Sequence, residues 1–192
     1  MTEKEKCAAG LLYDANYDKQ LISERIACKD LCLEYNQLKN SDAGNRNKLI
    51  RKIIGSTKEN ICIEPSFWCD YGYNIEIGED FYANHNLIIL DCAKVRFGNH
   101  VFIGPNCSFY TAGHPLDAEQ RNKGLEYARP ITIGDNVWLG GNVVVLPGVS
   151  IGNNTVIGAG SVVTKDIPDH VVAVGNPCKV IKSIEHNHNQ NI

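Results

Sequence analysis

From about Ile75 onward, apolar residues recur at a spacing that suits neither a helix nor an ordinary strand. Positions 133, 139, 145, 151, 157 and 163 are Ile, Leu, Val, Ile, Ile and Val, a strict six-residue step. Two residues earlier in each unit stand Ile131, Val137, Val143, Val149, Thr155 and Ser161. Each unit thus has two alternating inward positions and then a turn that wants glycine or asparagine, as in Ile77-Gly78, Phe97-Gly98, Ile103-Gly104 and Leu139-Gly140. Three units make one triangular coil. Stacked coils bury the aliphatic ladder in a narrow prism and pair through parallel strands, so the pattern predicts a parallel β-helix.

The earlier coils are less regular. Markers at 77, 83 and 89 are followed by 97, 103 and 109, which places two extra residues near Asp91-Cys92. Between Phe109 and Ile133 the step is 24 instead of 6, so a loop spanning about 110–130 must leave the prism. Loops of that length in a compact domain are usually functional. Residues 1–60 follow a different rule. Cys28, Leu31, Cys32, Tyr35 and Leu38 form one helical stripe, and Leu49, Ile50, Ile53 and Ile54 another, with Ser41-Asp42 as break and cap between them. The expected organisation is an N-terminal helical segment (1–60), a β-helix (61–184) with its loop excursion, and an unstructured polar tail (185–192).

Composition narrows the function. The 19 basic and 22 acidic residues give a net charge of −3 without a basic cluster, which argues against nucleic acid as a partner. No stretch approaches the ~18 apolar residues of a membrane span, and the charged N-terminus has no apolar run behind it, so a cytoplasmic protein is expected. The eight cysteines include no Cys-x-x-Cys pair. They read as reduced, small apolar residues, and no metal site is expected.

Several segments carry chemistry. They are Thr111-Ala112-Gly113-His114-Pro115 at the loop entrance, Cys69-Asp70-Tyr71-Gly72-Tyr73-Asn74, Phe81-Tyr82-Ala83-Asn84, Ile157-Gly158-Ala159-Gly160-Ser161 and Gly175-Asn176-Pro177-Cys178. With the repeats, these resemble the maltose and galactoside O-acetyltransferase family over nearly the whole chain. The resemblance implies a left-handed β-helix, whereas the usual right-handed crossover rule would give the opposite hand. It also implies a homotrimer with sites between subunits, and acetyl transfer from acetyl-CoA to a sugar hydroxyl.

An alcohol attacking a thioester needs a base that titrates near neutrality, and histidine supplies one. The resemblance assigns that role to His114. It makes Asn84 the stabiliser of the developing oxyanion and puts the Gly141 N–H near the reacting carbonyl, where some relatives carry serine. Asp14, Asp70, Tyr82 and Asp91, with Trp138 as an apolar wall, align with acceptor-binding positions. Galactoside-type members carry serine at the Asp70 position, so Asp70 favours a glucose- or maltose-like acceptor. Ala159, Thr164 and Lys165 match coenzyme positions. Lys179 and Lys182 stand where arginines commonly follow Pro-Cys, keeping the charge without the bidentate fork.

Other readings stay open on sequence alone. An enzyme of this fold could acetylate a non-sugar hydroxyl, on an antibiotic or an amino acid, and a noncatalytic trimeric scaffold could use the repeats for structure only. A zinc hydratase would need three converging histidines, and His85, His100 and His114 form no close pair.

Overall fold

The computed structural model describes residues 1–185, so the tail from 186 onward, expected to be unstructured, lies outside the described residues. Three helices lead the chain: α1 (Glu3–Ala8), α2 (Lys19–Gln37) and α3 (Ala43–Ile53). Each begins on a side-chain cap. Thr2 and Glu5 form a capping box for α1, Asp18 accepts from the Leu21 N–H for α2, and Asp42 accepts from the Asn45 N–H for α3. The apolar stripes are the buried faces, with Cys28, Cys32 and Tyr35 on α2 and Leu49, Ile50 and Ile53 on α3.

The rest is a prism of parallel strands with three faces, a left-handed β-helix of hexapeptide repeats. Face one carries Ser56–Thr57, Ile75–Ile77, Val95–Phe97, Ile131–Ile133 and Ser150–Ile151. Face two carries Ile61–Ile63, Phe81–Ala83, Phe102–Ile103, Trp138–Leu139, Val156–Ile157 and Val171–Val174, and ends in an antiparallel edge strand, Lys179–Ser183. Face three carries Phe67–Cys69, Leu87–Leu90, Ser108–Tyr110, Val144–Val145 and Val162–Val163. The six markers from Ile133 to Val163 are each at most 2% exposed, and Thr155 and Ser161 are buried with them. Burial of each aliphatic side chain contributes ~1.5–3 kcal/mol. Thr155 and Ser161 satisfy their hydroxyls on the Pro168 and Gly158 carbonyls, so the ladder tolerates them.

Two of the three corners turn on a residue with positive φ. After face one it is Asp80, His100, Asn136, Asn154 and His170; after face two it is Asn86, Asn106, Asn142 and finally Gly160. Asparagine and aspartate accept this left-handed backbone better than other side chains, which is why the turns read so polar. The third corner, after face three, behaves differently. In the first two coils it holds two extra residues each, at 70–74 and 91–94, so pairs such as Phe67 with Leu87 and Ile75 with Val95 stand 20 residues apart, whereas Trp138 and Val156 stand 18 apart. In the third coil the same corner releases the long loop, which contains α4 (Ala118–Asn122) and the strand Leu125–Ala128. Every insertion therefore leaves the repeat at one edge of the prism.

α2 and α3 close the open end of the first coil. Arg46 of α3 is 9% exposed and donates to the Ile63 carbonyl (2.8 Å), the Tyr35 hydroxyl (3.1 Å) and Asn40 Oδ1 (3.1 Å). It joins both helices to the first strand of face two. Arg46→Ala should lower stability by about 2–3 kcal/mol in urea unfolding, because buried acceptors lose a charged donor. A change below ~0.5 kcal/mol would show that the cap is held by apolar contact alone.

Candidate active site

The third corner has a small core of its own, in which Cys7, Tyr13, Ala15 and Leu21 from the N-terminus meet Tyr71, Cys92 and Ala128 from the insertions. The N-terminal strand Tyr13–Asp14 pairs antiparallel with the loop strand, Tyr13 opposite Glu126 and Asp14 opposite Leu125. The loop strand also pairs with Ala112–Gly113, just before His114. A three-stranded ribbon thus fixes the loop entrance. His114 Nδ1 lies 3.1 Å from the Leu125 carbonyl, to which only a protonated Nδ1 can donate, leaving the Nε2 lone pair free. Nε2 faces Glu126 Oε1 at 3.9 Å, and the buried Tyr13 hydroxyl donates to the other Glu126 oxygen at 3.1 Å. That carboxylate therefore faces the ring nitrogen opposite the Leu125 carbonyl.

Asp70 lies at the same corner. Its carboxylate is 3.8 Å from Lys29 Nζ, Cys92 Sγ donates to Oδ2, and burial pushes its proton affinity up. Asp14 is half-buried, with Oδ1 accepting from its own turn at the Asn16 and Tyr17 N–H groups. Asp91 requires a correction. Expected to touch the acceptor, it is 0% exposed and accepts from the backbone N–H groups of Asp70 (3.0 Å), Tyr71 (2.8 Å) and Asn74 (3.4 Å). It shapes the first insertion and positions Asp70 from beneath. Thr164 and Lys165 follow face three in a later coil and occupy the same corner, exposed.

The second corner holds the remaining candidates. Asn84, Gly104, Gly140-Gly141 and Gly158-Ala159 stack one above another, joined by N–H to carbonyl bonds that link each coil to the next. A Cβ on Gly104 would approach the Gly141 nitrogen to 2.6 Å, and one on Gly140 the Ala159 nitrogen to 2.7 Å, so side chains are excluded and the backbone forms a narrow ledge. Asn84 Oδ1 accepts from the His85 N–H at 2.7 Å, which commits the amide oxygen and leaves its NH₂ as the donor. The Gly141 N–H makes no hydrogen bond among the described residues. Beside this ledge, Tyr82, Phe102 and Trp138 pair in register along the outside of face two, with Phe102 54% and Trp138 56% exposed. Lys179 and Lys182 lie on the exposed edge strand of the same face, and like Lys165 they take part in no ion pair among the described residues.

The expected site residues therefore fall into two groups at two corners, separated by the width of face three. Among the described residues, no hydrogen bond or ion pair joins His114, Asp70 or Asp14 to Asn84 or Gly141.

Comparison with known proteins gives this geometry a family. Residues 6–58 match the maltose acetyltransferase hexapeptide capping motif, and residues 130–165 match the six repeats of the bacterial transferase hexapeptide. The Saccharomyces cerevisiae protein YJL218W is 58% identical over 94% of this chain and 92% of its own length. The chain belongs to the hexapeptide-repeat acetyltransferases of the maltose and galactoside type. A crystal structure described as a maltose O-acetyltransferase from Clostridium difficile 630 is 52% identical, covers 97% of this chain and 99% of its own, and superposes with a TM-score of 0.95. A galactoside acetyltransferase solved in complex with coenzyme A is 44% identical over 100% of this chain and 97% of its own, with a TM-score of 0.94. The capping motif corresponds to α1 through α3 and the repeat match to the most regular coils. This acetyltransferase has no helix, among its described residues, long and apolar enough to cross a membrane.

Four side chains beside the candidates escaped the sequence. Arg25 donates to the Ala15 carbonyl (2.7 Å) and the Tyr71 hydroxyl (3.1 Å), Lys29 meets Asp70, and Tyr13 and Glu126 support His114. None stands in a recurring motif: Glu126 meets His114 through the antiparallel pairing inside the loop, and the pairing that brings Tyr13 to Glu126 joins residues over 100 positions apart.

Asp91 makes the corner sensitive to pH. Burial, reinforced by the Asp70 carboxyl, raises its pKa from the ordinary 3.8 to about 6, against the pull of its backbone donors. The folded state then binds the proton more tightly than the unfolded, so Asp91 lowers stability as pH climbs from near 4 through 6, by about 3 kcal/mol at neutrality. Asp91→Asn keeps an acceptor for two of the three N–H groups and removes the charge. Relative to the parent chain, its stability in urea should rise by up to about 3 kcal/mol between about pH 4 and pH 7.5. A difference constant with pH would return Asp91 to ordinary carboxylate behaviour.

Proposed function

We propose that this acetyltransferase moves the acetyl group of acetyl-CoA to a hydroxyl of a glucose- or maltose-like sugar, with His114 as general base. The observation that carries the reading is the bond from His114 Nδ1 to the Leu125 carbonyl, because it fixes the tautomer whose Nε2 can take a proton. In this reading the acceptor hydroxyl gives its proton to Nε2 as its oxygen attacks the acetyl carbonyl carbon. Glu126 supports the imidazolium. The oxyanion receives hydrogen bonds from the Asn84 amide and the Gly141 N–H. On collapse the C–S bond breaks, and the coenzyme A thiolate takes the proton back from His114.

His114 and Asn84 sit at different corners, so these steps need a second copy of the chain. A homotrimer packed by cyclic symmetry brings the third corner of one subunit against the second corner of the next, which gives three sites per trimer. Acetyl-CoA fits the donors available. Its pantetheine arm suits the narrow ledge at Gly104, Gly140, Gly141 and Ala159. Lys165, Lys179 and Lys182, in no ion pair among the described residues, supply cations for its phosphates, with Thr164 as a neutral donor. Asp70 and Asp14 offer carboxylate acceptors for sugar hydroxyls, and Tyr82 and Trp138 an aromatic wall. The solved relatives described as maltose and galactoside acetyltransferases support a sugar over an antibiotic or amino-acid hydroxyl. The eight free cysteines suit the reducing cytoplasm.

The test is incubation with acetyl-CoA and a panel of glucose, maltose, galactosides and N-acetylglucosamine, with products read by mass spectrometry. His114→Ala should keep its fold and lose ~10²–10⁴ in turnover. Full turnover in that variant removes His114 from the chemistry. Absence of product from every sugar, with coenzyme A still bound, moves the acceptor to another class of hydroxyl compound.

A further inference from the structure

The seam between α2 and the first coil contains three sulfurs in mutual contact. Cys28 and Cys32 are four residues apart on α2 and therefore share a face. Cys69 ends the first strand of face three and points inward against them. Cys28 Sγ lies 3.5 Å from Cys69 Sγ, Cys32 Sγ lies 3.7 Å from it, and all three sulfurs fall within 4.8 Å of one another. All three residues are buried and none is in a disulfide. Apolar packing alone requires no sulfur here: the place that Cys69 takes in the first coil is filled by Ile89, Phe109, Val145 and Val163 in the later ones.

The separations match a metal centre. Three thiolates around one ion at ~2.3 Å stand ~4.0 Å apart in a trigonal plane, a few tenths of an ångström wider than the two distances to Cys69 Sγ and inside the 4.8 Å that encloses all three. Thiolates select soft cations, copper(I) and zinc foremost. Structural zinc takes four protein ligands, and among the described residues no fourth cysteine, histidine or carboxylate joins the group. An entry path exists, because a surface cavity of about 410 Å³ between α2, α3 and Tyr71 is lined by Cys28.

We propose that Cys28, Cys32 and Cys69 form a three-coordinate thiolate site for copper(I), which fastens the helical cap to the first coil. Binding replaces thiol protons, released to solvent, with metal–sulfur bonds, and involves no change of oxidation state. Because α2 has no partner in the repeat ladder, such a staple acts where the prism is held only by side chains.

The experiment uses the full chain, reduced and anaerobic, carrying Cys62→Ser to remove the exposed thiol. Copper(I) is titrated against a coloured copper(I) chelator, and X-ray absorption counts the sulfur neighbours. The site predicts one copper per chain with three sulfurs, and a higher melting temperature with copper than without. Adding Cys69→Ser or, as a milder change on the helix, Cys32→Ala should weaken copper binding by more than ~10²-fold while circular dichroism stays that of the parent. The proposal is overturned if the Cys62→Ser chain retains no copper, or if its affinity survives both added substitutions. Two sulfurs instead of three, or preferential retention of zinc with a fourth ligand, overturns it equally.

Discussion

Parallel coils stack only if every turn of the prism returns the chain to the same register, because each strand takes its hydrogen bonds from the coil before and gives them to the coil after. Extra residues can therefore leave only at a corner, where the ladder is already interrupted. In this protein all of them leave at the third corner: two residues in each of the first two coils, and then the long loop. The remaining two corners stay as tight Asn and Gly turns. Stacking the insertions at one edge gives them enough apolar material to form their own core with the N-terminal strand, and that core holds His114, Asp70 and Asp91 in place. The repeat supplies rigidity, and the departures from it supply chemistry.

The same constraint divides the site. The second corner, free of insertions, is close-packed backbone that offers N–H groups and little bulk, which suits a long thin cosubstrate and an oxyanion. The third corner is rich in carboxylates and carries the proposed base, which suits a polyhydroxylated acceptor. A single prism cannot bring two of its own corners together, since face three stands between them. Assembly therefore becomes part of the proposed catalytic design, and the aromatic rungs Tyr82, Phe102 and Trp138 on the outside of face two are free to border a neighbouring subunit.

Much of this was legible in the chain. The six-residue step gave away the prism because the inward positions from Ile131 to Val163 hold only aliphatic or small hydroxyl residues, and the Asp42 cap and both helical stripes were equally readable. The insertion at Asp91-Cys92 showed as a slip in the marker count. Its counterpart at 70–74 did not, because the markers began only at Ile77, one coil too late. Asp91 misled for a different reason. It aligns with an acceptor-binding position of the family, and only the backbone N–H groups folded around it reveal that its carboxylate is internal. Arg25, the meeting of Tyr13 with Glu126 and that of Cys28 and Cys32 with Cys69 depend on long-range packing that no local period encodes.

If each proposed site draws His114 from one subunit and Asn84 from the next, subunits carrying different lesions can complement one another. His114→Ala and Asn84→Ala chains, each inactive alone, would be unfolded together, refolded and assayed for acetylated sugar. Random mixed trimers with shared sites contain one intact site in each hybrid, which restores about one quarter of the parent activity. Activity that stays at the level of the separate variants, in a mixture shown to contain hybrids, would place both residues in sites built from a single chain and contradict the account.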